Sequence, residues 1–144
     1  MIGKTSEYAI RALVYVYIQN QEGKRPGFKE IAEKINSPEQ FTAKVLQTLA
    51  REEVILSSKG RGGGFFFSDS GIPLTLHKVI SVIEGEKFFS KCGFGLDRCD
   101  CENPCPLHDD YSPVREGFLK LVTKLTIQSL AYKINNQQAV LSRA

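Results

Sequence analysis

All four cysteines of this chain lie in one short stretch, CGFGLDRCDCENPCPLH, which runs from Cys92 to His108. Six residues separate Cys92 from Cys99, five separate Cys99 from Cys105, and two separate Cys105 from His108. Glycine, asparagine and proline are frequent in this cysteine run, which predicts a loop rather than a helix or strand. Such a loop can direct several thiolates and an imidazole toward one centre, as an iron–sulfur cluster or a thiolate-bound zinc ion requires.

Three other interpretations of the cysteine run fit less well. A disulfide framework is disfavoured because no signal peptide is recognisable and cytoplasmic thiols are kept reduced. Structural zinc usually takes its thiolates in Cys-x-x-Cys pairs, and the run contains no such pair. Cysteines buried without a ligand role are not expected in so polar a stretch. The composition therefore favours a cluster, and spacing alone leaves zinc open.

Length and composition set the class of protein. The chain has 144 residues and 42% hydrophobic content, which is enough for one ordinary core. No apolar run reaches the roughly 18 residues that a membrane span needs. The apolar start carries Glu7 and Arg11, so it predicts a core helix and not an export signal. We therefore expect a cytoplasmic protein with no membrane partner.

The charged residues are unevenly distributed along the chain. The net charge is only +3, but residues 24–61 hold eight Lys and Arg against five Glu. Residues 86–116, which include the cysteine run, hold four basic and seven acidic groups. This asymmetry predicts that the first half meets phosphates and that the cysteine-bearing segment does not.

Two short helical patterns, near residues 29–35 and 38–51, predict a helix-turn-helix. A tight turn of Asn36 and Ser37 joins them, and Pro38 suits the first turn of the second helix. The second helix would bury one apolar stripe and turn its polar groups outward, and a helix of this kind enters the major groove of DNA. We expect the DNA contacts to come from Pro38, Gln40, Phe41, Thr42, Lys44 and Arg51.

A β-hairpin is predicted directly after these helices. Residues 54–56 and 65–67 have strand composition, and the glycine-rich segment 59–64 between them predicts a turn. Lys59 and Arg61 at its tip could bind phosphates or enter the minor groove, as the wing of a winged helix does. A phosphate-binding enzyme loop is excluded because no helix opens after the glycines. No paired general acid and base is recognisable either, so we do not expect an enzyme.

The last third of the chain predicts one long helix that begins at Pro113 and ends near residue 136. Its apolar positions recur at steps of three and four residues, which is typical of a helix that packs against the same helix of a second subunit. The alternative is that it packs on its own domain. The expected dimer residues are Val114, Phe118, Leu121 and Leu125.

The predicted organisation is therefore mainly α with a small β-hairpin wing. It consists of a winged helix-turn-helix domain (1–85), a cysteine-rich cluster loop (86–112), a dimerisation helix (113–136) and a flexible tail (137–144).

The order of these motifs resembles the Rrf-two family of bacterial transcription regulators. The resemblance rests on the helix-turn-helix, the Lys-Gly-Arg-Gly-Gly-Gly wing and the Cys-x6-Cys-x5-Cys loop, and covers about residues 5–136. It implies a homodimeric winged-helix protein that binds a near-palindromic double-stranded DNA operator. It also implies that an iron–sulfur cluster beside the dimerisation helix alters the affinity for DNA.

The resemblance implies a ligand set as well. Cys92, Cys99 and Cys105 match the three cluster cysteines of the family. His108 matches the histidine ligand of a 2Fe–2S cluster in the IscR branch. Glu7 matches an aspartate of the NsrR branch that reaches a 4Fe–4S cluster from the partner subunit. Cys101 is an extra thiol that neither pattern requires, although it remains an alternative fourth ligand. We favour His108, and with it a 2Fe–2S cluster.

Two rival functions remain open from the residues. One is a regulator of the same fold that switches through its thiols or through zinc, without iron. The other is an electron carrier or cluster-transfer protein, which would leave Lys44, Lys59 and Arg61 without a purpose. The sequence does not indicate the operator, the signal, or whether the regulator activates or represses.

Overall fold

The computed structural model describes residues 2–143, so the last residue of the predicted tail lies outside the described residues. Within this range the chain forms six α-helices, one short 3-10 helix and one two-stranded antiparallel sheet. The helices are α1 (Lys4–Gln21), α2 (Phe28–Lys34), α3 (Glu39–Arg51), α4 (Leu76–Glu84), α5 (His108–Lys124) and α6 (Ile127–Asn135). The strands are β1 (Leu56–Ser58) and β2 (Gly64–Phe66), and the 3-10 helix is Glu86–Ser90. The predicted fold class, mainly helical with a β-hairpin, is confirmed.

Helix α1 is the centre of the domain. It contacts α2, α3, α4, α6 and β2, so most of its length is enclosed. Ala9, Leu13 and Val16 are completely buried along it, at the three- and four-residue spacing of one helix face. Small and branched apolar side chains at these positions let the other helices approach α1 closely, and this packing fixes the positions of α2, α3 and β2 relative to one another.

The helix-turn-helix is formed by α2 and α3. Ile35 closes α2, and Asn36 adopts a left-handed φ of 54°, a conformation that asparagine tolerates better than most residues. Pro38 then lies in extended backbone immediately before the first residue of α3. The turn is held from inside, because the Thr42 hydroxyl donates to the Pro38 carbonyl at 2.7 Å and also pairs with the Ser37 hydroxyl.

The predicted single C-terminal helix is wrong in its start and in its continuity. Helix α5 begins at His108, five residues before Pro113, and the chain leaves helical geometry at Leu125. Thr126 then caps α6 through a reciprocal pair of hydrogen bonds with Ser129, which makes a new helix start favourable. The break also pairs with the segment before α4, where the Leu76 amide donates to the Leu125 carbonyl at 3.0 Å and the Ile127 amide to the Leu74 carbonyl at 2.8 Å.

Helix α6 therefore folds back onto α1 instead of extending outward. Ile127 and Ala131 are completely buried in this packing. After α6, Leu141 of the tail is partly buried against the core. Within residues 2–143 no helix is long and apolar enough to cross a membrane.

Candidate functional site

The exposed face of α3 carries most of the expected DNA-contact residues. Pro38, Gln40, Lys44 and Arg51 are all exposed. Thr42, which we predicted to point outward, is only 1% exposed, because its hydroxyl is used to hold the turn. A contact between Thr42 and DNA is therefore excluded by its burial. Phe41 is partly buried, and its ring packs edge-on against Tyr8 of α1 at 5.5 Å between centroids.

The hairpin after α3 has the shape of a wing. Leu56 pairs with Phe66 and Ser58 with Gly64, so the segment from Lys59 to Gly63 forms its tip. Lys59 and Arg61 are both exposed there. The Gly63 amide donates to the Gly60 carbonyl at 3.0 Å, which closes the turn and holds both exposed cations at the tip, where they can meet a nucleic acid.

The anchor of the wing was not predicted from the sequence. Asn20 at the end of α1 accepts a hydrogen bond from the Phe67 amide at 2.8 Å and donates to the Phe65 carbonyl at 3.3 Å. The Arg25 guanidinium lies 3.7 Å above the centre of the Phe66 ring. The sequence carries only a weak signal for these contacts, because a polar residue at a helix end and an arginine before a proline are common on surfaces.

Gly64 is the closest point between the wing and the rest of the domain. A Cβ atom at this position would lie 2.1 Å from the Arg25 carbonyl oxygen and 2.7 Å from that of Pro26. The Phe65 amide donates to the Pro26 carbonyl at 2.9 Å, which adds a backbone link beside it. The glycine run therefore provides both a flexible turn and a close approach of two backbones.

The cysteine run folds into a loop whose side chains line one small pocket. Cys92, Cys99, Cys105 and His108 all line it, whereas Cys101 is exposed and does not. The Cys99 sulfur lies 3.3 Å from Nδ1 of His108. We predicted His108 in the loop, but it is the first residue of α5. Its amide donates a hydrogen bond to the Cys105 carbonyl at 3.0 Å. The loop and the start of α5 thus place three thiols and one imidazole around the same pocket.

Glu7, the alternative fourth ligand, lies outside this pocket. Glu7 lies on α1 and its carboxylate is 3.4 Å from the Lys4 ammonium of the preceding turn. It does not line the pocket of its own chain. Among residues 2–143, no three His, Cys, Asp or Glu side chains are grouped closely enough to hold a single metal ion.

The electrostatic environment of Cys92 favours the thiolate. Partial burial raises the pKa of Cys92, but hydrogen bonds from the Phe94, Leu96 and Gly95 amides and from the Cys105 thiol outweigh it, so its pKa lies below the usual value. The Phe94 amide is 3.4 Å from the sulfur. Amides of a glycine-rich loop can support an anionic sulfur in this way because they need no side chain.

The four residues expected to form a dimer seam are divided by the break in the last helix. Val114 and Leu121 are 51% and 50% exposed on α5. Phe118 is partly buried against Phe88 and Phe89, with ring centroids 6.4 Å apart in both pairs. Leu125 packs on the core of its own chain. Of the four expected residues, Val114 and Leu121 are therefore the two with exposed side chains.

The comparisons with known proteins agree with this geometry. The Rrf2 (Rrf-two) family model, described as an iron-dependent transcriptional regulator, matches residues 2–133. The transcriptional regulator NsrR of Oceanobacillus iheyensis is 23% identical over 140 residues, which cover 96% of this chain and 92% of that protein.

Two solved structures share the fold. CymR of B. subtilis, described as the global cysteine regulator, aligns with a TM-score of 0.74 at 17% identity and covers 92% of this chain and 96% of its own. T. potens IscR aligns with a TM-score of 0.73 at 14% identity and covers 100% of this chain and 93% of its own. The winged-helix architecture is therefore that of a known class of regulators.

Proposed function

This chain belongs to the Rrf2 family of transcriptional regulators, and we propose that it acts as a homodimeric winged-helix protein whose operator affinity is set by an iron–sulfur cluster. The observation that carries the proposal is the common pocket lined by Cys92, Cys99, Cys105 and His108, with Cys101 outside it. Three thiols and one imidazole are a donor set that iron–sulfur clusters accept.

The DNA contacts in this proposal come from α3 and the wing. Gln40 and Lys44 are exposed near the start of α3, where a recognition helix meets base edges. Lys59 and Arg61 are exposed at the wing tip and are suited to phosphates. Since the wing and α3 both rest on α1, one rigid unit can present both to the same half of an operator.

The proposed ligands are Cys92, Cys99, Cys105 and His108, with a 2Fe–2S cluster favoured. When bound, a cluster supplies a centre that oxidants, nitric oxide or iron shortage can alter. His108 binds metal only as the neutral imidazole, and its amide hydrogen bond to Cys105 holds it beside the third cysteine. Glu7 of a partner subunit remains the alternative fourth ligand for a 4Fe–4S cluster, and Cys101 the second alternative.

The proposed dimer interface is the side of α5 that includes Val114 and Leu121. Both side chains are half exposed, and a Cβ atom added at Gly117 between them would have no neighbouring atom within 4 Å. Two helices can therefore approach closely along this line. A two-fold dimer presents two identical reading units, which is the reason to expect a near-palindromic operator.

A thiol-based regulator of the same fold is the second candidate. It is favoured by the lowered pKa of Cys92 and by the 3.3 Å contact between the Cys99 sulfur and His108. A thiolate next to an imidazole is a common arrangement in reactive cysteines. Neither candidate assigns catalysis to this chain, and an electron-carrier role would leave the exposed cations of α3 and the wing unexplained.

Purification without oxygen distinguishes the two candidates. Iron and acid-labile sulfide would be measured together with absorption and Mössbauer spectra. We expect about two irons and two sulfides per chain for a 2Fe–2S cluster. Cys92→Ala, Cys99→Ala and Cys105→Ala should each abolish the chromophore, and His108→Ala should shift its spectrum.

Cys101→Ala is the matched control, because this thiol is in the same loop but outside the pocket. It should leave iron content and spectrum unchanged. Protein that contains no iron after purification without oxygen, but still changes its DNA affinity on oxidation, would instead establish the thiol-based candidate. Loss of colour in Cys101→Ala with no change in His108→Ala would contradict the proposed ligand set.

A further inference from the structure

A second cavity lies beside the cysteine loop, and Cys92 is the one proposed cluster ligand that also lines it. It encloses about 250 Å³ between the 3-10 helix and α5. Its apolar walls are the rings of Phe88, Phe89, Phe118 and Tyr111. Phe88 and Phe89 meet edge-on at 5.5 Å, and Phe89 and Phe118 lie with their planes 26° apart. These rings pack against one another and form an aromatic surface on one side of the cavity, on which a flat group can stack.

This aromatic surface is supported from behind by α4. His77 of α4 stacks on Phe89 with centroids 4.3 Å apart and an angle of 14° between the planes. His77 Nδ1 is in turn 3.5 Å from the Ser81 hydroxyl, a residue that is only 9% exposed. The Phe89 ring therefore packs against α4 on one face, which restricts its movement on that side of the cavity.

Two cations line the same cavity. Lys91 and Arg115 both contribute to its lining, and the Lys91 ammonium lies 5.7 Å from the centre of the Phe88 ring. Within the described residues 2–143, neither side chain forms an ion pair; the two ion pairs found there involve Lys4 and Arg98. A cation that lies next to this aromatic surface and has no ion-pair partner there is available to an anion.

We propose that this cavity binds a small planar aromatic acid, with its ring among the phenylalanines and its carboxylate on Arg115 and Lys91. The guanidinium fork of arginine matches a carboxylate in two parallel hydrogen bonds, which favours a carboxylate over a neutral group. The volume is just below the roughly 300–1,000 Å³ of typical small-molecule sites, so it suits a ligand of one or two rings.

A ligand in this cavity would touch the cysteine loop directly. Cys92, Gly93, Tyr111 and Arg115 line both this cavity and the cysteine pocket. Gly93 lies so close to Tyr111 that a Cβ atom there would be 2.6 Å from the ring. The two sites therefore share a wall that is one backbone and one ring thick. The inference goes beyond the proposed function and does not require a cluster to be present.

Binding would be measured on the full-length, cluster-free chain by calorimetry, with naphthoate as the acid and naphthylmethanol as its uncharged counterpart. We expect saturable binding of naphthoate and about tenfold weaker binding in Arg115→Gln, since a hydrogen bond between charged groups of this strength corresponds to about one order of magnitude in affinity. Naphthylmethanol should bind more weakly and should not respond to Arg115→Gln.

Lys120→Gln is the matched control, because it removes the same charge from an exposed position of α5 that does not line the cavity. It should leave naphthoate binding unchanged. A second measurement uses iodoacetamide and mass spectrometry. Naphthoate should slow alkylation of Cys92, which lines the cavity, but not of Cys101, which is exposed in the same loop.

Three results would overturn the proposal. The first is the absence of saturable naphthoate binding at millimolar concentration. The second is equal affinity in the original chain, Arg115→Gln and Lys91→Gln, with circular dichroism confirming that the variants are folded. The third is binding that disappears as the chain dimerises, which would mean that a second copy covers the cavity.

Discussion

Replacing Gly64 with alanine tests how the wing is held in place. The added Cβ would lie 2.1 Å from the Arg25 carbonyl oxygen, whereas an unstrained contact needs about 3.5 Å. Backbone atoms on both sides of the contact cannot swing away as a long side chain would. The β2 strand must therefore move outward by about 1 Å or more.

The cost of this movement can be estimated from the interactions it breaks. The hydrogen bond from the Phe65 amide to the Pro26 carbonyl, now 2.9 Å, would break at a cost of about 1 kcal/mol. Separating the Arg25 guanidinium from the Phe66 ring would cost about 0.5–1 kcal/mol. With some residual strain, we expect a decrease of about 2 kcal/mol in the free energy of unfolding, or a fall in Tm of roughly 5 °C for a chain of this size.

Gly62→Ala is the matched control, because Gly62 is in the same wing tip and a Cβ there would meet no atom within 4 Å. Its φ of 78° alone should cost about 1 kcal/mol. Thermal unfolding by circular dichroism gives the stabilities, and fluorescence anisotropy with a DNA duplex gives the affinities. Gly64→Ala should reduce both more than Gly62→Ala does. Equal Tm values for the two variants would refute the close approach of the wing to the Arg25–Pro26 segment.

Three further predictions concern DNA binding, assembly and the break in the last helix. Lys59→Ala and Arg61→Ala should each reduce the slope of the logarithm of the DNA-binding constant against the logarithm of salt concentration, by about 0.9 for every phosphate that the wing no longer binds. An unchanged slope in both variants would exclude the wing as a phosphate-binding element. Leu121→Glu should place an unpaired charge in the proposed dimer interface, which should weaken dimerisation by several kcal/mol and give monomers in sedimentation experiments. The control Thr123→Glu, on the opposite side of α5, should remain a dimer. Thr126→Ala removes the hydroxyl that accepts a hydrogen bond from the Ser129 amide, and it should lower the free energy of unfolding by about 1 kcal/mol in denaturant unfolding. An unaltered midpoint would mean that the cap does not determine where α6 begins.

The elements that the sequence predicted well are those set by local pattern. The helix-turn-helix follows from the periodic apolar residues and from the turn chemistry of Asn36 and Pro38, both of which act within a few residues. The hairpin follows from its glycine-rich tip, although its strands begin one or two residues away from the predicted positions. Local patterns leave such boundaries uncertain because terminal pairing depends on the neighbouring segments.

The last helix shows what local pattern could not predict. The apolar residues continue across Leu125 and Thr126 at helical spacing, so periodicity alone indicates one helix. The break exists because the chain at this point forms backbone hydrogen bonds to Leu74 and Leu76, about fifty residues earlier. The Gln128 side chain adds a further link, because it accepts a hydrogen bond from the Leu74 amide at 2.9 Å. Hydrogen bonds between segments so far apart leave no mark on the spacing of apolar residues.

The residues of the candidate site likewise include some that the sequence could predict and some that it could not. Residue type was enough to single out the cysteines and the wing cations, because few side chains bind metals or phosphates. Residue type was not enough to separate Cys101 from Cys99, two positions apart in the same loop, and only the folded loop places one in the pocket and the other in solvent. The prediction that Thr42 contacts DNA was wrong. Its polar side chain is buried, because its hydroxyl holds the turn before α3.

Helix α1 contacts both elements that we propose bind DNA, and it also contacts the end of α4, from which the chain leads to the cysteine loop. Its Ser6 hydroxyl donates to the Glu84 carboxylate at 3.0 Å, at the end of α4 and just before the 3-10 helix that leads to Cys92. Tyr8 packs on Phe41 of the recognition helix, and Asn20 at the other end of α1 holds the wing. If a change at the cysteine loop displaced Glu84, the packing of α1 against α3 and β2 would carry that displacement to both. A signal at the loop can change DNA affinity only if contact energies differ between its two states, and the contacts of α1 with α3, α4 and β2 are where we expect that difference.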